Sequence, residues 1–254
     1  MKIKKIKKLS TNKYRLEMER GEKITTYDEV ILKYNLLFGH EIDADLYSKI
    51  VSETTAYDNF NKAVKQISVK LRSTYEIKKY LEKLELTKEE QNRILTELTE
   101  KGLLNDKRYT QAYISDRIHL SSDGPYKIKK TLLDNQIDEA IIDDCLAHYE
   151  DAIFIDKLKS RIKKRQLQNK SSISLFKQKL KAEFLNLGYS SDQIEQAFEL
   201  SSFQNNNLAK EAEKIKNRLI KKYEGSTLEM QLKNKLYQKG YSMTEINDYL
   251  KNQN

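Results

Sequence analysis

The chain has 254 residues, a net charge of +9 and 33% charged residues, with one Cys, one Pro, seven Gly and no Trp. One Cys excludes an internal disulfide framework, and no apolar run approaches the roughly 18 to 20 residues that span a bilayer. The basic N-terminus leads into no apolar signal region. We therefore expect a mostly α-helical, cytoplasmic protein with no membrane partner.

The first part of the chain predicts a short strand pair. Tyr14, Leu16 and Met18 alternate with charged residues, and Gly21 allows a turn before a second strand at residues 24–27. Alternation with a period of two is typical of strands that bury one face. The sequence thus predicts a small β-hairpin near the N-terminus.

Two helices are predicted to follow the hairpin. Asp28 is in position to cap a helix over Glu29–Tyr34, and Asp43 is in position to cap another that runs through Ile50. From about residue 55 onward the apolar periodicity is helical throughout. Residues 1–55 are therefore predicted to form an N-terminal element of strands and short helices.

The rest of the chain contains a pattern that recurs four times. The turn positions Glu85, Gln136, Gly188 and Gly240 fall 51, 52 and 52 residues apart. Apolar residues precede each turn in the same register, at Ile77, Ile128, Leu180 and Leu232. A fixed period of this length is typical of stacked repeats, because one unit alone cannot bury its apolar face. We expect an elongated array whose function lies on a long surface.

Each repeat is predicted to contain three helices. The four units are expected at residues 56–106, 107–150, 151–206 and 207–254. Their predicted helices are, in chain order, Tyr57–Arg72, Thr74–Leu84, Lys88–Lys101, Lys107–His119, Pro125–Asn135, Glu139–Tyr149, Asp151–Gln168, Leu175–Leu187, Ser191–Ser201, Leu208–Tyr223, Thr227–Lys239 and Met243–Lys251. Capping boxes, in which two backbone N–H groups at a helix start are satisfied reciprocally, are predicted at Ser73, Thr87, Ser190, Ser226 and Ser242.

The first helix of each unit carries a cation between two apolar residues. These cations are Lys70, Arg117, Arg161 and Arg218. On a helix the apolar pair at i and i+4 faces the core, and the intervening base projects from its flank. We expect Lys70 and Arg117 to set the register of a partner along the repeats. The alternative is that such side chains only cover the edge of the core.

Charge is distributed unevenly along the chain. Residues 156–254 contain 20 Lys and Arg against 11 Asp and Glu, and residues 1–23 contain 9 against 3. Clustered cations on two successive units favour a phosphate backbone or an acidic protein groove as ligand. Ordinary solubilising charge is the alternative. The predicted interface residues are Lys157, Lys159, Arg161, Lys163, Lys164, Arg165, Lys214, Lys216, Arg218, Lys221 and Lys222.

Signatures of catalysis are missing from the sequence. No Gly-rich phosphate loop is present, and the three His residues have no metal-ligand spacing. The acid pair Asp143 and Asp144 is predicted to face water, and Cys145 to lie in a helix core. We therefore expect a binding protein with no cofactor, no metal and no catalytic residue. Core packing is preferred to base stacking for the tyrosines at repeat positions, Tyr109, Tyr113, Tyr126, Tyr189 and Tyr241.

Several of these segments together resemble the RecX family of regulatory proteins. The resemblance lies in residues 71–81, in the segment from Gly102 to Tyr109, in Arg117, and in the Gly124–Pro125 step before Ile128 and Leu132. Residues 28–41 resemble the longer Gram-positive members. The pattern departs from the family at Gln136, where many members have Gly. The family's basic and polar signature falls on Arg72, Ser73, Glu76, Asp106, Tyr109 and Arg117.

The resemblance implies tandem three-helix units that bind the RecA recombinase filament and restrain its ATP hydrolysis and strand exchange. It also implies direct binding of single- or double-stranded DNA in some members, and we expect a monomer. Two rival hypotheses remain: a general DNA-binding protein that does not contact the recombinase, and a protein-interaction scaffold. The hypothesis that the protein is an enzyme is the least favoured.

Overall fold

In the computed structural model, residues 1–203 and 207–252 are described. They form a mainly helical protein with a small N-terminal sheet, which confirms the predicted fold class. The chain divides into two compact units, Met1–Tyr109 and Thr110–Asn254. No helix within the described residues is long and apolar enough to cross a membrane.

The N-terminal sheet has three strands, one more than predicted. Strands β1 (Ile3–Lys8), β2 (Lys13–Met18) and β3 (Lys23–Tyr27) pair antiparallel in the order β1-β2-β3. The prediction missed β1 because its Lys-rich sequence lacks a clear alternation of apolar and polar residues. One face of the sheet is buried through Ile3, Leu16, Met18 and Ile24.

The helices that follow the sheet also differ from the prediction. Helix α1 spans Asp28–Lys33, one residue earlier than expected, and no side chain caps its start. Asp43 does cap α2, where its carboxylate accepts a hydrogen bond from the backbone N–H of Leu46 at 2.8 Å. Helix α2 then continues from Ala44 to Val69 without a break. Residue 55, where we expected the N-terminal element to end, lies inside this helix.

Helix α2 continues because nothing in its sequence interrupts it. Residues 44–69 contain neither Gly nor Pro, so the backbone has no breaker. Its first half packs under the sheet through Ile50, and its second half packs through Phe60 and Ala63 against α3 (Thr74–Leu81) and α4 (Lys88–Glu100). One helix therefore serves two apolar cores in the first unit.

The remaining helices follow the predicted three-helix pattern, with ends that differ by a few residues. They are α5 (Asp106–Leu120), α6 (Pro125–Asp134), α7 (Glu139–Leu146), α8 (Asp151–Gln166), α9 (Ile173–Asn186), α10 (Ser191–Glu199), α11 (Asn207–Leu219), α12 (Gly225–Gln238) and α13 (Met243–Lys251). The expected boundary between the third and fourth units, at residue 206, and the chain end at residue 254 lie outside the described residues. The limits of the four units stay a prediction.

The repeat register is preserved at the middle helix of each group. Its apolar positions are all buried, at Ile77, Ile128, Leu180 and Leu232. The turn residues Gln136, Gly188 and Gly240 are left-handed, with φ of +54°, +85° and +83°. Glu85 is not, because α3 already ends at Leu81. The predicted turn equivalence therefore holds in three groups and is wrong in the first.

Four of the five predicted capping boxes are present. The side chains of Ser73, Thr87, Ser190 and Ser242 each accept a hydrogen bond from the backbone N–H of the Glu or Gln three residues later. The side chain of that Glu or Gln in turn accepts a hydrogen bond from the backbone N–H of the cap residue. The box predicted at Ser226 is wrong, because α12 begins at Gly225, two residues before the predicted start at Thr227, and has no side-chain cap. The capping pattern at Ser226 therefore predicted the wrong start for this helix.

Ser242 and Ser226 form a matched pair for testing the caps, because both are exposed and lie at the starts of neighbouring helices. Ser242→Ala removes a side-chain acceptor and should lower the free energy of unfolding by about 1 kcal/mol. Ser226→Ala removes no cap and should change it by less than about 0.5 kcal/mol. Urea denaturation of both variants measures the difference, and equal costs would contradict the assignment.

Candidate polyanion interface

Helix α8 presents cations because its apolar residues occupy one stripe. Phe154, Leu158 and Ile162 are buried, at positions three to four residues apart. The cations between them must leave this stripe on its flanks or on the opposite side. Their surroundings separate them into two sets, one with hydrogen-bond or ion-pair partners and one with none in the part of the chain that the structure describes.

Arg161 and Arg165 of α8 share one carboxylate on α9. The Arg161 guanidinium donates to Glu183 Oε1 through Nε at 2.7 Å and to Ser122 Oγ through Nη1 at 2.7 Å. Arg165 Nη2 donates to Glu183 Oε2 at 2.9 Å. Glu183 was not predicted as part of this surface, since it lies on another helix and no local signal marks it. These contacts give Arg161 a structural role.

Lys157 is turned toward the end of α5. Its Nζ donates to the backbone carbonyls of Arg117 at 3.3 Å and Asp123 at 3.4 Å. Burial lowers the pKa of the Lys157 ammonium, and the nearby Asp123 carboxylate opposes that shift. A cation beside the carbonyl end of a helix is stabilised by the partial negative charge there. Lys157 therefore also has partners inside the second unit.

A close backbone contact joins α6 to the end of α9, and we call it the first junction. Gly124 N–H donates to the Leu187 carbonyl at 2.7 Å, and Tyr126 N–H donates to the Gly188 carbonyl at 3.0 Å. Gly124 has no side chain to cap α6, so the carbonyls of the neighbouring group satisfy these donors. A Cβ on Gly188 would lie 2.4 Å from the backbone nitrogen of Lys127, so only Gly fits at this position.

The same contact recurs one repeat later, and we call it the second junction. Ser172 N–H donates to the Lys239 carbonyl at 3.1 Å, next to the start of α9. A Cβ on Gly240 would lie 2.7 Å from Leu175 Cβ. The start of α9 thus meets the end of α12, as the start of α6 meets the end of α9. The turn residues of the repeat are where successive groups touch.

Each junction is bordered by a cleft of about 520 Å³ with cations in its wall. At the first junction the cleft is lined by Lys157, Arg161 and Lys164, together with Tyr189. Burial raises the pKa of the Tyr189 hydroxyl to about 12, although nearby Arg161 opposes the shift, and this hydroxyl donates to the Ser122 carbonyl at 3.2 Å. The equivalent Tyr241 hydroxyl is buried without a hydrogen-bond partner among the described residues.

Helix α11 is amphipathic and presents its cations away from the core. Leu208, Ala212, Ile215 and Leu219 pack against α12 and α13. The spacing of three to four residues places the cations on the remaining surface. Exposed cations of this helix and the turn after it include Lys214, Lys216, Arg218, Lys221 and Lys222.

The predicted interface residues thus differ in what they contact. Lys157, Arg161 and Arg165 have partners in the fold, and Lys159 pairs with Asp156 at 2.9 Å. The other predicted cations have no hydrogen-bond or ion-pair partner among the described residues: Lys163, Lys164, Lys214, Lys216, Arg218, Lys221 and Lys222. Whether either set touches a ligand stays a prediction.

The family-motif residues mostly organise helix starts in the first unit. Arg72 Nη1 contacts Glu76 at 2.9 Å, beside the capping box that Ser73 and Glu76 form. The Asp106 carboxylate accepts from Thr74 N–H at 2.8 Å, and Tyr109 is buried. These four polar residues therefore fix the start of α3.

The cations held in the shared apolar frame have unlike environments. Lys70 is exposed at the end of α2, and Arg218 is exposed at the end of α11. Arg117 lies 4.9 Å from the centroid of the Tyr113 ring and 3.8 Å from Asp123. The shared sequence frame therefore does not produce one shared contact.

Core packing holds for most of the tyrosines at repeat positions. Tyr109, Tyr189 and Tyr241 are buried. For Tyr126 the prediction is wrong, because it is 64% exposed beside the first junction. Cys145 is buried in α7, as predicted. The part of the chain that the structure describes contains no group of three or more His, Cys, Asp or Glu that could hold a metal ion.

Comparisons with known proteins identify the family. Regulatory protein RecX of Halalkalibacterium halodurans is 30% identical over 230 residues, covering 88% of this chain and 86% of its own. Regulatory protein RecX of Lactococcus lactis subsp. lactis is 31% identical over 267 residues, covering 98% and 96%. The chain belongs to the RecX family of regulatory proteins. This confirms the resemblance noted in the sequence.

The domain model and the solved structures agree with this family. The model described as RecX, second three-helix domain, matches residues 105–146, which contain α5, α6 and α7. A crystal structure of regulatory protein RecX superposes with a TM-score of 0.68 at 22% identity, covering 78% of this chain and 98% of that one. At that identity the likeness supports the fold. The Ser121–Gly124 loop of the first junction lies inside the matched domain.

Replacing Gly188 tests the first junction. Gly188→Ala adds left-handed strain and a Cβ that overlaps the backbone of Lys127, so the free energy of unfolding should fall by about 3 kcal/mol. Gly225→Ala is the matched control, since Gly225 has φ of +53° and open space around it. Its cost should be about 1 kcal/mol. Similar costs in chemical denaturation would show that the close contact adds nothing.

Two buried tyrosines should make the second unit sensitive to alkaline pH. The pKa values of Tyr189 and Tyr241 are about 12 in the fold and about 10 when unfolded. Stability should therefore be complete below about pH 10 and fall toward pH 12, by up to about 1.4 kcal/mol per pH unit for each ring. Tyr189→Phe and Tyr241→Phe should each flatten this decline in pH-dependent denaturation. Tyr237→Phe, at a ring 61% exposed, is the control and should not.

Proposed function

We propose that this protein is a non-enzymatic regulator that binds the RecA recombinase filament on DNA and slows its ATP hydrolysis and strand exchange. Membership of a family whose relatives are named regulatory proteins supports this role. The observation that carries the choice of surface is the set of cations on and next to α8 and α11 that have no hydrogen-bond or ion-pair partner among the described residues.

Those cations suit an acidic or phosphate-bearing partner. An exposed Lys or Arg that already holds a carboxylate must break that contact before it binds another anion. Lys163, Lys164, Arg218 and Lys221 have no such contact to break among the described residues. Their side chains are exposed, so each contact is expected to be weak. Several weak contacts on one chain add through effective concentration, which suits binding to a polymer of identical subunits.

The cations Lys157 and Arg161 at the first junction support the interface but are not its main contacts. Arg161 and Lys157 shape the cleft at the first junction and leave its wall positive. An acidic side chain or a phosphate could enter this cleft beside Lys164. We therefore assign attachment to the exposed cations, and positioning of the cleft to the paired ones.

A triple charge reversal tests the assignment. Lys164→Glu, Arg218→Glu and Lys221→Glu together should raise the concentration needed to slow recombinase ATPase on single-stranded DNA by about tenfold, the equivalent of about 1.4 kcal/mol. Raising the salt concentration should weaken the unaltered protein more than the variant, because fewer ions are displaced when fewer contacts form. The assay is a titration of steady-state ATPase at two salt concentrations.

Three exposed lysines of the first unit provide the control. Lys78→Glu, Lys83→Glu and Lys88→Glu change the net charge equally at exposed positions, and should shift the titration by less than about twofold. Equal shifts of the titration in the two triple variants would show that the effect depends only on net charge. Binding to bare DNA with no effect on the ATPase would instead select the general DNA-binding alternative.

A further inference from the structure

The three-stranded sheet has one buried face and one exposed face. On the buried face Leu16 of β2 lies between Ile6 of β1 and Ile24 of β3 in the strand register. Because side chains alternate along a strand, the neighbours of these residues point to the opposite face. That outer face therefore carries Lys5, Lys7, Lys13, Arg15, Glu17, Lys23, Thr25 and Tyr27. At one end of the face Lys13 pairs with Asp58 of α2 and Tyr27 is buried beside Tyr57, so the accessible part is formed by the other six residues.

The accessible part of the outer face has four cations and one acid. Glu17 lies between Lys5 and Lys23 in the register, so it has a basic neighbour on each side. Arg15 lies between Lys7 and Thr25, so it has no acidic neighbour on either strand. None of the four cations has an ion pair among the described residues. The face is therefore strongly positive around Arg15.

The pairing of Lys7 with Arg15 is unfavourable for the fold. Directly opposed residues on antiparallel strands have Cβ atoms about 5 Å apart, and like charges at this separation destabilise the pair. Thr25, on the other side of Arg15, does not compensate the charge. Folding alone does not account for this arrangement.

Protection of the sheet edge explains only part of the pattern. Lysines on an edge strand discourage pairing with other chains, and β1 is an edge strand. Arg15 lies on β2, the central strand, where no edge is exposed. The charge thus extends from the edge onto the middle of the face.

We infer that the outer face of this sheet binds the phosphate backbone of a nucleic acid. Lys, Arg and Thr are side chains that contact phosphate oxygens, and such contacts hold a strand without reading its sequence. An anionic backbone across Lys7 and Arg15 removes the repulsion that folding leaves between them. The site lies in the first unit and does not depend on contact with a recombinase.

Two other polyanions fit the face less well. Membrane-surface elements insert apolar side chains beside their cations, and the accessible part of this face has none. The centre of a protein interface is depleted in charge and enriched in aromatic residues, the opposite of this face. A phosphate backbone requires only the cations and hydroxyl that are present.

The test is binding of fluorescein-labelled oligo(dT) to the full-length protein, followed by fluorescence anisotropy over a range of salt concentrations. The quadruple variant Lys5→Gln, Lys7→Gln, Arg15→Gln and Lys23→Gln should bind more weakly. If all four cations contact phosphates, the slope of log affinity against log salt should become shallower by about 3. The cations of the second unit are unchanged, so some salt dependence should remain.

A matched variant separates this face from net charge. Lys65→Gln, Lys78→Gln, Lys83→Gln and Lys88→Gln remove four exposed charges outside the sheet from the same unit, and should leave the slope within about 1 of its original value. An equal loss in both variants overturns the inference. Unchanged oligo(dT) binding by the sheet variant also overturns it. A loss of binding to phosphatidylserine vesicles or polyglutamate, with oligo(dT) binding intact, overturns it as well.

Stability measurements exclude a merely structural role. Lys7→Gln with Arg15→Gln removes a like-charge pair, so the free energy of unfolding should stay equal or rise while oligo(dT) binding weakens. A fall in stability that accounts for the weaker binding would overturn the assignment. Because no recombinase is present, the outcome is distinct from success or failure of the proposed filament binding.

Discussion

The second unit depends on helix ends that satisfy each other. The start of α6 has no side-chain cap, and its N–H groups are accepted by the carbonyls of Leu187 and Gly188 at the end of α9. Buried N–H groups left unpaired would each cost free energy comparable to a lost hydrogen bond. The start of α9 meets the end of α12 in the same way. Left-handed glycines at the repeat turns make the approach possible, so these glycines define both a helix end and a contact between groups.

This junction also decides the roles of nearby cations. Where α8 passes the Ser121–Gly124 loop, Lys157 and Arg161 are recruited to carbonyl and carboxylate groups of neighbouring elements. About one turn beyond Arg161, Lys164 has no hydrogen-bond or ion-pair partner among the described residues. Cations that look alike in sequence therefore divide into those that hold the fold together and those available to a partner. A regulator built from repeats needs both kinds, since the first keeps the second in place.

The two basic regions are built on different principles. On α8 and α11 the cations occupy helix surfaces left over after the apolar stripe is buried, and on α8 Asp156 and Glu183 pair with three of them. On the sheet, a fixed register sets Lys7 against Arg15 with no acid between them. The arrangement on the helices is common in soluble proteins, so only membership of the family connects it to a function. The arrangement on the sheet is unfavourable in isolation, and so carries information by itself.

Local sequence determined the helices, most caps, the repeat period and the family, because periodicity and capping depend on residues within one or two turns. It failed where the deciding partner is distant in the chain. Glu183 converts Arg161 and Arg165 into structural residues, and the packing of α2 under two cores removes the break expected near residue 55. Lys-rich β1 became a strand only by pairing with β2. Which cations lack a partner, and which lie opposite each other, was decided by the tertiary structure alone, because charge neighbours there come from separate elements.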